Sequence, residues 1–329
     1  MAIRKVTRQG FVLSTKSMRI IHLMLPVCFV PGFGLMAKNP VLRGADPHAV
    51  VAEKQVWIYP TGGGRPSEFF VWTSKNLTKW EKTGPVFRLE DASWVADDGV
   101  PDHGAWAPCV IQAGRKFYFY YSVGPQNPTP SRIGVAVADS PTGPFIDSCK
   151  PLLTGGSGFE AIDPFVFKDP KSGNNYFYAG GSAGAKLRVF ELGADMVSFT
   201  RECDVETPKQ FTEGVFVHFH NDRYYISYSH GNYRDDTYSV HYSTSPSPLG
   251  PWTYQGVILA SNKRHKGPGH HSLIYLPGSK QWLIVYHRWN NRSGGGPYSG
   301  SREICIDRLE YGSDGSIRPV DMTDSGVEF

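Results

Sequence analysis

Strand-like runs recur along this chain at a near-constant interval, and that period limits its possible folds more than any other feature. Aromatic and β-branched clusters cover 50–59 and 69–73, then 109–112, 117–123 and 133–138, then 164–167, 176–179 and 187–191. Two more follow, at 215–219, 224–228 and 239–242, and at 272–276, 282–287 and 303–309. The first runs of the five clusters follow Asp46, Trp106, Asp163, Glu213 and His270, at steps of 60, 57, 50 and 57 residues. A unit repeated at such spacing cannot bury its apolar face alone and must pack on its neighbours. Five units of antiparallel strands predict an all-β, five-bladed β-propeller. Gln112–Arg115, Lys171–Asn174, His220–Arg223 and Pro277–Lys280 each separate two runs at hairpin spacing. The abundance of glycine (36) and proline (25) suits such turns, and no long amphipathic helical period competes. A large β-sandwich is the alternative architecture.

The net charge of +4 arises in the first 37 residues, which hold Arg4, Lys5, Arg8, Lys16 and Arg19 and no acid. The remainder has 29 basic and 30 acidic residues, so it offers no electrostatic reason to expect nucleic acid as a partner. Lys263-Arg264-His265-Lys266 is the one basic knot, and it reads as a solvated loop. Residues 20–35 are largely apolar and Met36-Ala37 offers a small residue for cleavage. This predicts a leader over 1–37, with a start at Met18 as an option, and a secreted or periplasmic product. Pro26 and Pro31 argue against reading it as a stable membrane span, and no other candidate span is present. Residues 38–329 then form a single propeller domain, expected to be monomeric. Past the leader, Cys109, Cys149, Cys203 and Cys305 show no spacing that dictates a pairing or a metal site. Cys109 reads as a buried free thiol within an apolar run, which disfavours a cysteine hydrolase.

Three carboxylates stand at the mouths of apolar runs in separate modules: Ala45-Asp46-Pro47, Ile162-Asp163-Pro164 and Thr212-Glu213-Gly214. In a propeller the first strand of each blade lines the axis, so residues at its start gather at one face. Proline biases the residue before it toward extended geometry, which would fix the aspartate's direction at strand entry. A lone Asp-Pro is a turn, but two of them and a matching glutamate converging on one point suggest acid/base hydrolysis of a glycosidic bond.

The ordered set resembles glycoside hydrolase family 43. It runs from Asn39-Pro-Val-Leu and Ala45-Asp-Pro47 through Ala105-Trp-Ala-Pro108 with Lys116–Ser122, and Ala138–Phe145. Ile162-Asp-Pro164, Thr212-Glu-Gly214 with Tyr224–Ser229, and Gly267-Pro-Gly-His270 with Val285-Tyr-His-Arg288 complete it. The resemblance implies a five-bladed propeller and an inverting hydrolase of arabinose-, xylose- or galactose-containing oligo- and polysaccharide. By matching position it makes Asp46 the general base, Glu213 the general acid, and Asp163 the residue that tunes and orients the acid. An inverting pair stands about 6.5–9.5 Å apart to admit a water. A neighbouring aspartate and the apolar run 215–217 would both raise the pKa of Glu213.

The same resemblance makes Arg288 a sugar-binding arginine, the alternative being a salt bridge that closes the last blade. Trp106 offers a ring face to sugar C–H groups, or else packs between blades. His270 matches a histidine at the axis that contacts substrate and in many members helps hold calcium. No cofactor is required, and a structural calcium is the one metal implied. A zinc or iron site at His270-His271 is disfavoured, because adjacent strand residues point to opposite faces. Cys109 departs from the family, which often has aspartate there. The acidic loop Val95–His103 matches nothing, and Asp97, Asp98, Asp102 and His103 are read as solvated or rim residues. Gly62-Gly-Gly64 and Gly294-Gly-Gly296 lack the residues of a phosphate loop and read as rim loops. The leading expectation is an α-L-arabinofuranosidase or β-xylosidase. The alternatives are an endo-arabinanase or galactan-directed hydrolase, and a non-catalytic carbohydrate-binding propeller.

Overall fold

The computed structural model describes residues 1–2, 38–61, 68–182 and 184–327. The apolar leader, the optional start at Met18 and the Gly62-Gly-Gly64 run fall outside the described residues. Five antiparallel sheets follow one another along the chain and form the five-bladed β-propeller that the period predicts. Blade I comprises Ala45–Ala52, Gln55–Thr61, Glu68–Ser74 and Glu81–Arg88, in that order from the axis outward. Blade II comprises Ala105–Ala113, Lys116–Val123 and Arg132–Ala138, edged by Ile146–Asp147 and Leu153–Thr154. Blade III is Phe165–Lys168, Asn175–Ala179, Arg188–Leu192 and Phe199–Cys203. Blade IV is Glu213–His220, Arg223–His230, Ser239–Ser245 and Thr253–Leu259. Blade V is His265–Leu276, Gln281–Asn290 and Glu303–Leu309.

The ring closes through the start of the chain. Leu42–Arg43 pairs antiparallel with Ile304 and Glu303 and becomes the outermost strand of blade V. Asn39 secures this closure: its Nδ2 donates to the Ile306 carbonyl at 3.0 Å and its Oδ1 accepts from the Ile306 amide at 2.8 Å.

The four expected hairpins are present. A fifth carried no sequence signal. The run 50–59 is broken at Glu53-Lys54, both with positive φ (52° and 60°), the geometry of a tight hairpin turn that usually recruits Asn-Gly. Asn221-Asp222 adopts the same geometry (46° and 63°) with residues that tolerate it.

The tyrosines knit blade to blade. From the second strands of blades I to IV, the buried hydroxyls of Tyr59, Tyr120, Tyr178 and Tyr225 donate to carbonyls in turns of the next blade. Their acceptors are Pro141, Met196, Pro248 and Gly315, at 2.7–2.8 Å. A buried phenol must keep a partner, so each one fixes an inter-blade distance as well as filling space. Among the described residues no helix is long and apolar enough to cross a membrane.

Candidate active site

One residue near the entry of each innermost strand is left-handed: Asp46 (φ 49°), Ala107 (46°), Asp163 (55°), Gly214 (64°) and His270 (39°). Proline therefore does not hold the two aspartates extended, as expected from their sequence. Asparagine and aspartate tolerate this region better than most residues. Bonds from the neighbouring blade pin it here. The amide of Ala107 donates to Thr61 Oγ1 (2.6 Å), that of Asp163 to Ser122 Oγ (2.9 Å) and that of His270 to Ser229 Oγ (2.8 Å). The amide of Asp46 donates to His287 Nδ1 (3.0 Å). Each acceptor lies on the second strand of the preceding blade. Left-handed non-glycine residues cost about 1–3 kcal/mol each and persist only where surroundings dictate them. Blade IV breaks the pattern. The matching place before it is Gly180, which has no side chain to accept a bond, and a Cβ on the next residue, Gly181, would come within 2.6 Å of the Cβ of Glu213.

The result is a cavity of about 180 Å³ lined by Asp46, Asp163, Glu213, His270, Trp106 and Arg302, among others. All three acids, His270 and Trp106 thus meet at one end of the propeller. A larger, apolar cavity of about 580 Å³ lies at the far end of the blade I and V strands, around Val51–Val56 and Leu276–Ser279. It has no part in this constellation.

Asp46 is buried, and burial alone would raise its pKa. The Arg302 guanidinium at 2.9 Å, the His270 ring and a Thr61 hydrogen bond outweigh this and hold it well below the usual carboxylate range. Burial also drives His287 well below the ordinary histidine value, so it is neutral beside Asp46. Glu213 is shifted the opposite way. Burial first and the charge of Asp163 second raise its pKa, against hydrogen bonds from Ser182 Oγ (2.6 Å) and Tyr238 Oη (2.8 Å) that favour the ionised form. His270 Nδ1 lies 3.6 Å from Asp46 Oδ1 and 3.4 Å from Asp163 Oδ2. Burial opposes its charge, but the two carboxylates prevail and push its pKa up to about 9. One carboxylate stays ionised and one favours its proton, within a single cavity.

Trp106 lies against two glycines. A Cβ on Gly104 or Gly124 would come within 2.7 and 2.1 Å of its ring, so only glycine lets the indole lie flat against the wall with the cavity beyond it. The acidic loop supports that wall. Asp98 accepts from Arg132 (2.7 Å) and Thr129 (2.9 Å) and pairs with His103 (2.9 Å), so it is a structural tie and not a solvated residue.

Arg288 is not at the cavity. It is fully buried on the other face of its strand, bonded to Asn290, the Thr323 carbonyl and Asp324, where it closes the last blade. Strand alternation explains the correction: His287 faces Asp46, so its neighbour must face away. The arginine at the site is Arg302, from a Gly/Ser-rich loop whose sequence has no strand period to reveal it. Tyr233, Gln126 and Ser182 also line the cavity and Tyr238 reaches Glu213, none from a place that the repeat marks. Ser182 stands in Gly180-Gly-Ser-Ala-Gly184, the spacing of a hydrolase nucleophile elbow, but its hydroxyl serves Glu213 and a strand, not a helix, follows. Cys109 is buried in the core with its thiol pushed up to about 12, so this departure from the family lies below the cavity, outside its lining. The basic knot is only half solvated. Arg264 is exposed, whereas His265 is buried against Asp324.

His270 and the two carboxylates beside it supply too few oxygens to hold calcium without water. Calcium takes about six to eight oxygen ligands. Here the imidazole nitrogen stands between the two nearest carboxylates and holds them as a cationic bridge. Among the described residues no three His, Cys, Asp or Glu side chains form a metal-binding group.

Comparison with known proteins accords with this geometry. The family model for glycosyl hydrolases family 43 matches residues 37–317. A β-D-galactofuranosidase, xynD, of Aspergillus niger is 33% identical over 89% of this chain and 87% of its own length. A xylosidase/arabinosidase of Bacteroides ovatus is 28% identical over 85% of this chain and 95% of its own. The crystal structure of a family-43 β-xylosidase/α-arabinofuranosidase from a compost microbial metagenome, with xylotriose and in a calcium-free form, superposes with a TM-score of 0.71. It is 27% identical and covers 87% of this chain and 97% of that one. A family match across most of the chain, on a propeller that brings three acids into one cavity, makes this protein a member of glycosyl hydrolase family 43, the inverting hydrolases of O-glycosyl bonds.

Proposed function

We propose that the protein is an exo-acting α-L-arabinofuranosidase or β-xylosidase that removes single sugars from plant-type polysaccharide. Asp46 is the general base, Glu213 the general acid, and Asp163 the group that keeps Glu213 protonated. The observation that carries this reading is the opposite tuning of Asp46 and Glu213 in one cavity. At about 180 Å³ the cavity is smaller than a drug-sized site of about 300–1,000 Å³, which suits one sugar ring. Asp46 takes a proton from water on one face of the anomeric carbon while Glu213 gives its proton to the departing oxygen on the other. The Trp106 face receives the sugar's C–H surface. The apolar stretch at 20–35 behind a basic start supports extending the proposal to an exported enzyme, to be checked by N-terminal sequencing of protein from culture medium.

The test compares wild type, Asp46→Asn and Glu213→Gln on aryl glycosides and on arabinoxylan. Asp46→Asn should lose both activities. Glu213→Gln should lose polysaccharide hydrolysis by about 10²–10⁴-fold but keep most activity on an aryl glycoside whose leaving group needs no proton. Equal loss on both substrates in Glu213→Gln would remove it from the role of acid.

A further inference from the structure

We infer that His287 is a positioning residue that couples the base to the acid, holding the backbone of Asp46 through one ring nitrogen and the tyrosine that orients Glu213 through its ring face. This rests on the reading above, with Asp46 as base and Glu213 as acid. At four junctions between blades, a left-handed residue of one innermost strand is tied to the second strand of the blade before it. At three of them the acceptor is a hydroxyl, from Thr61, Ser122 or Ser229. The fourth, which carries the base, uses the imidazole of His287. A hydroxyl is enough to hold a backbone amide. The larger group has a second task here, and its other contacts show which.

The His287 ring has no exposed surface. One face lies nearly parallel to the Tyr238 ring, with centroids 5.8 Å apart and an interplanar angle of 7°. Tyr238 in turn donates to Glu213 Oε1 at 2.8 Å. Room for this pair of rings comes from Gly269, the strand partner of His287: a Cβ there would come within 1.9 Å of the Tyr238 ring. A hydroxyl at 287 would hold the Asp46 amide but leave Tyr238 without this backing. One buried ring thus stands between the support of the base and the support of the acid. An inverting pair works at a separation that admits one water. A rigid block between its two supports sets that separation, and a misplacement of about 1 Å can cost about 10²-fold in rate.

Burial keeps the ring neutral, so it carries one proton and its two nitrogens differ. Nδ1 stands 3.0 Å from the Asp46 amide and 3.3 Å from Asp46 Oδ1, and Nε2 stands 3.3 Å from Arg302 Nη1. A proton on Nδ1 would trade the amide bond for two contacts beyond the usual hydrogen-bond range of about 2.7–3.2 Å. It would also leave a buried amide without an acceptor, which is costly. The proton therefore sits on Nε2, and Nδ1 is the acceptor that holds the base's backbone. Arg302 keeps its shorter bond, 2.9 Å, for Asp46 Oδ1.

The experiment compares kcat and KM of wild type, His287→Leu, His287→Asn and His287→Gln, each as the full chain. One substrate is an activated aryl glycoside that wild type hydrolyses, which needs the base alone, and the other is arabinoxylan, which needs base and acid. His287→Leu should lose about 10²-fold in kcat on both, with KM little changed. The carboxamide of asparagine stands near the place of Nδ1, and that of glutamine near the place of Nε2. His287→Asn should therefore recover the aryl glycoside to within about tenfold of wild type. On arabinoxylan it should stay about tenfold lower again, for want of the ring face behind Tyr238. His287→Gln should match His287→Leu. Equal recovery by the two amides, recovery by neither, an equal loss on both substrates in His287→Asn, or a loss confined to KM overturns the inference. Should the variants fail to fold, magnetic resonance of isotope-labelled wild type decides. A coupling across the hydrogen bond should join the Asp46 amide to an imidazole nitrogen that bears no proton, and a protonated Nδ1 there overturns the inference. Failure of the underlying reading looks different, because Asp46→Asn would then hydrolyse the aryl glycoside as wild type does, whatever the His287 variants show.

Discussion

The hydroxyl of Tyr238 donates to Oε1 of Glu213 across 2.8 Å, from a ring that has no exposed surface. That ring cannot move aside. A Cβ on Gly269 would come within 1.9 Å of it, and the His287 ring stacks on it at 5.8 Å with an interplanar angle of 7°. Oε1 is therefore committed as an acceptor, and a proton on Glu213 takes Oε2, beside the cavity, where the Ser182 hydroxyl can turn from donor to acceptor. Tyr238→Phe frees Oε1 and lets the proton reside on the wrong oxygen. Turnover of substrates with poor leaving groups should fall about 10-fold or more, with a smaller loss on activated aryl glycosides. Because the lost bond favoured the ionised form, the basic limb of the pH profile should move to higher pH. A uniform loss with no shift of that limb would make Tyr238 merely structural.

Asp163→Asn should move the same limb the other way. The negative charge of Asp163 helps keep the proton on Glu213, and its removal leaves burial alone to do so. The basic limb of kcat against pH should shift downward while the acidic limb, set by Asp46, shifts less. Profiles on one polysaccharide substrate suffice to compare the two.

Arg302 governs the acidic limb. Without its guanidinium, the burial of Asp46 is offset by His270, His287 and the Thr61 hydrogen bond. Arg302→Met should raise the pKa of Asp46, move the acidic limb to higher pH, and lower kcat/KM by about 10²-fold where the base is then protonated. Arg288→Met, by contrast, should lower the melting temperature and leave the limbs in place, since that side chain binds Thr323 and Asp324 and none of the three cavity acids.

His270 links the site to stability. Its pKa of about 9 lies above the ordinary value of 6.5, so the folded state holds a proton that the unfolded chain releases earlier. Its stabilising contribution is complete below about pH 6.5 and disappears as pH rises through about 9. Across that window wild type should lose up to about 3 kcal/mol more than His270→Gln, seen as a narrowing gap in melting temperature. A gap that stays constant with pH would show that the ring is neutral between its two carboxylates.

The fold could be read from the sequence because a propeller repeats one decision five times. Alternating aromatic strands and Gly- or Asn-bearing turns mark each blade, and an error at Glu53-Lys54 costs a single turn. The acids could be read for the same reason, since each occupies one recurring place in the repeat. Arg302 could not. It arrives from a loop of glycines and serines whose path is set by contacts with the 232–236 loop of blade IV, and no local period encodes that path. Tyr238 was obscured differently, since it is one of many buried tyrosines in this chain's core and stands just before its strand. Arg288 shows the limit of position itself: along a strand, one step reverses the face, and His287 took the inward place.

The latch that closes the ring, Leu42–Arg43, lies three residues upstream of Asp46. The proposed base, Asp46, is thus carried on the same short stretch of backbone that decides whether the circle is shut. If that stretch peeled from blade V, four complete blades would keep their sheets and most of their spectroscopic signature, and the catalyst would already be dead. Activity in this protein is a gauge of closure.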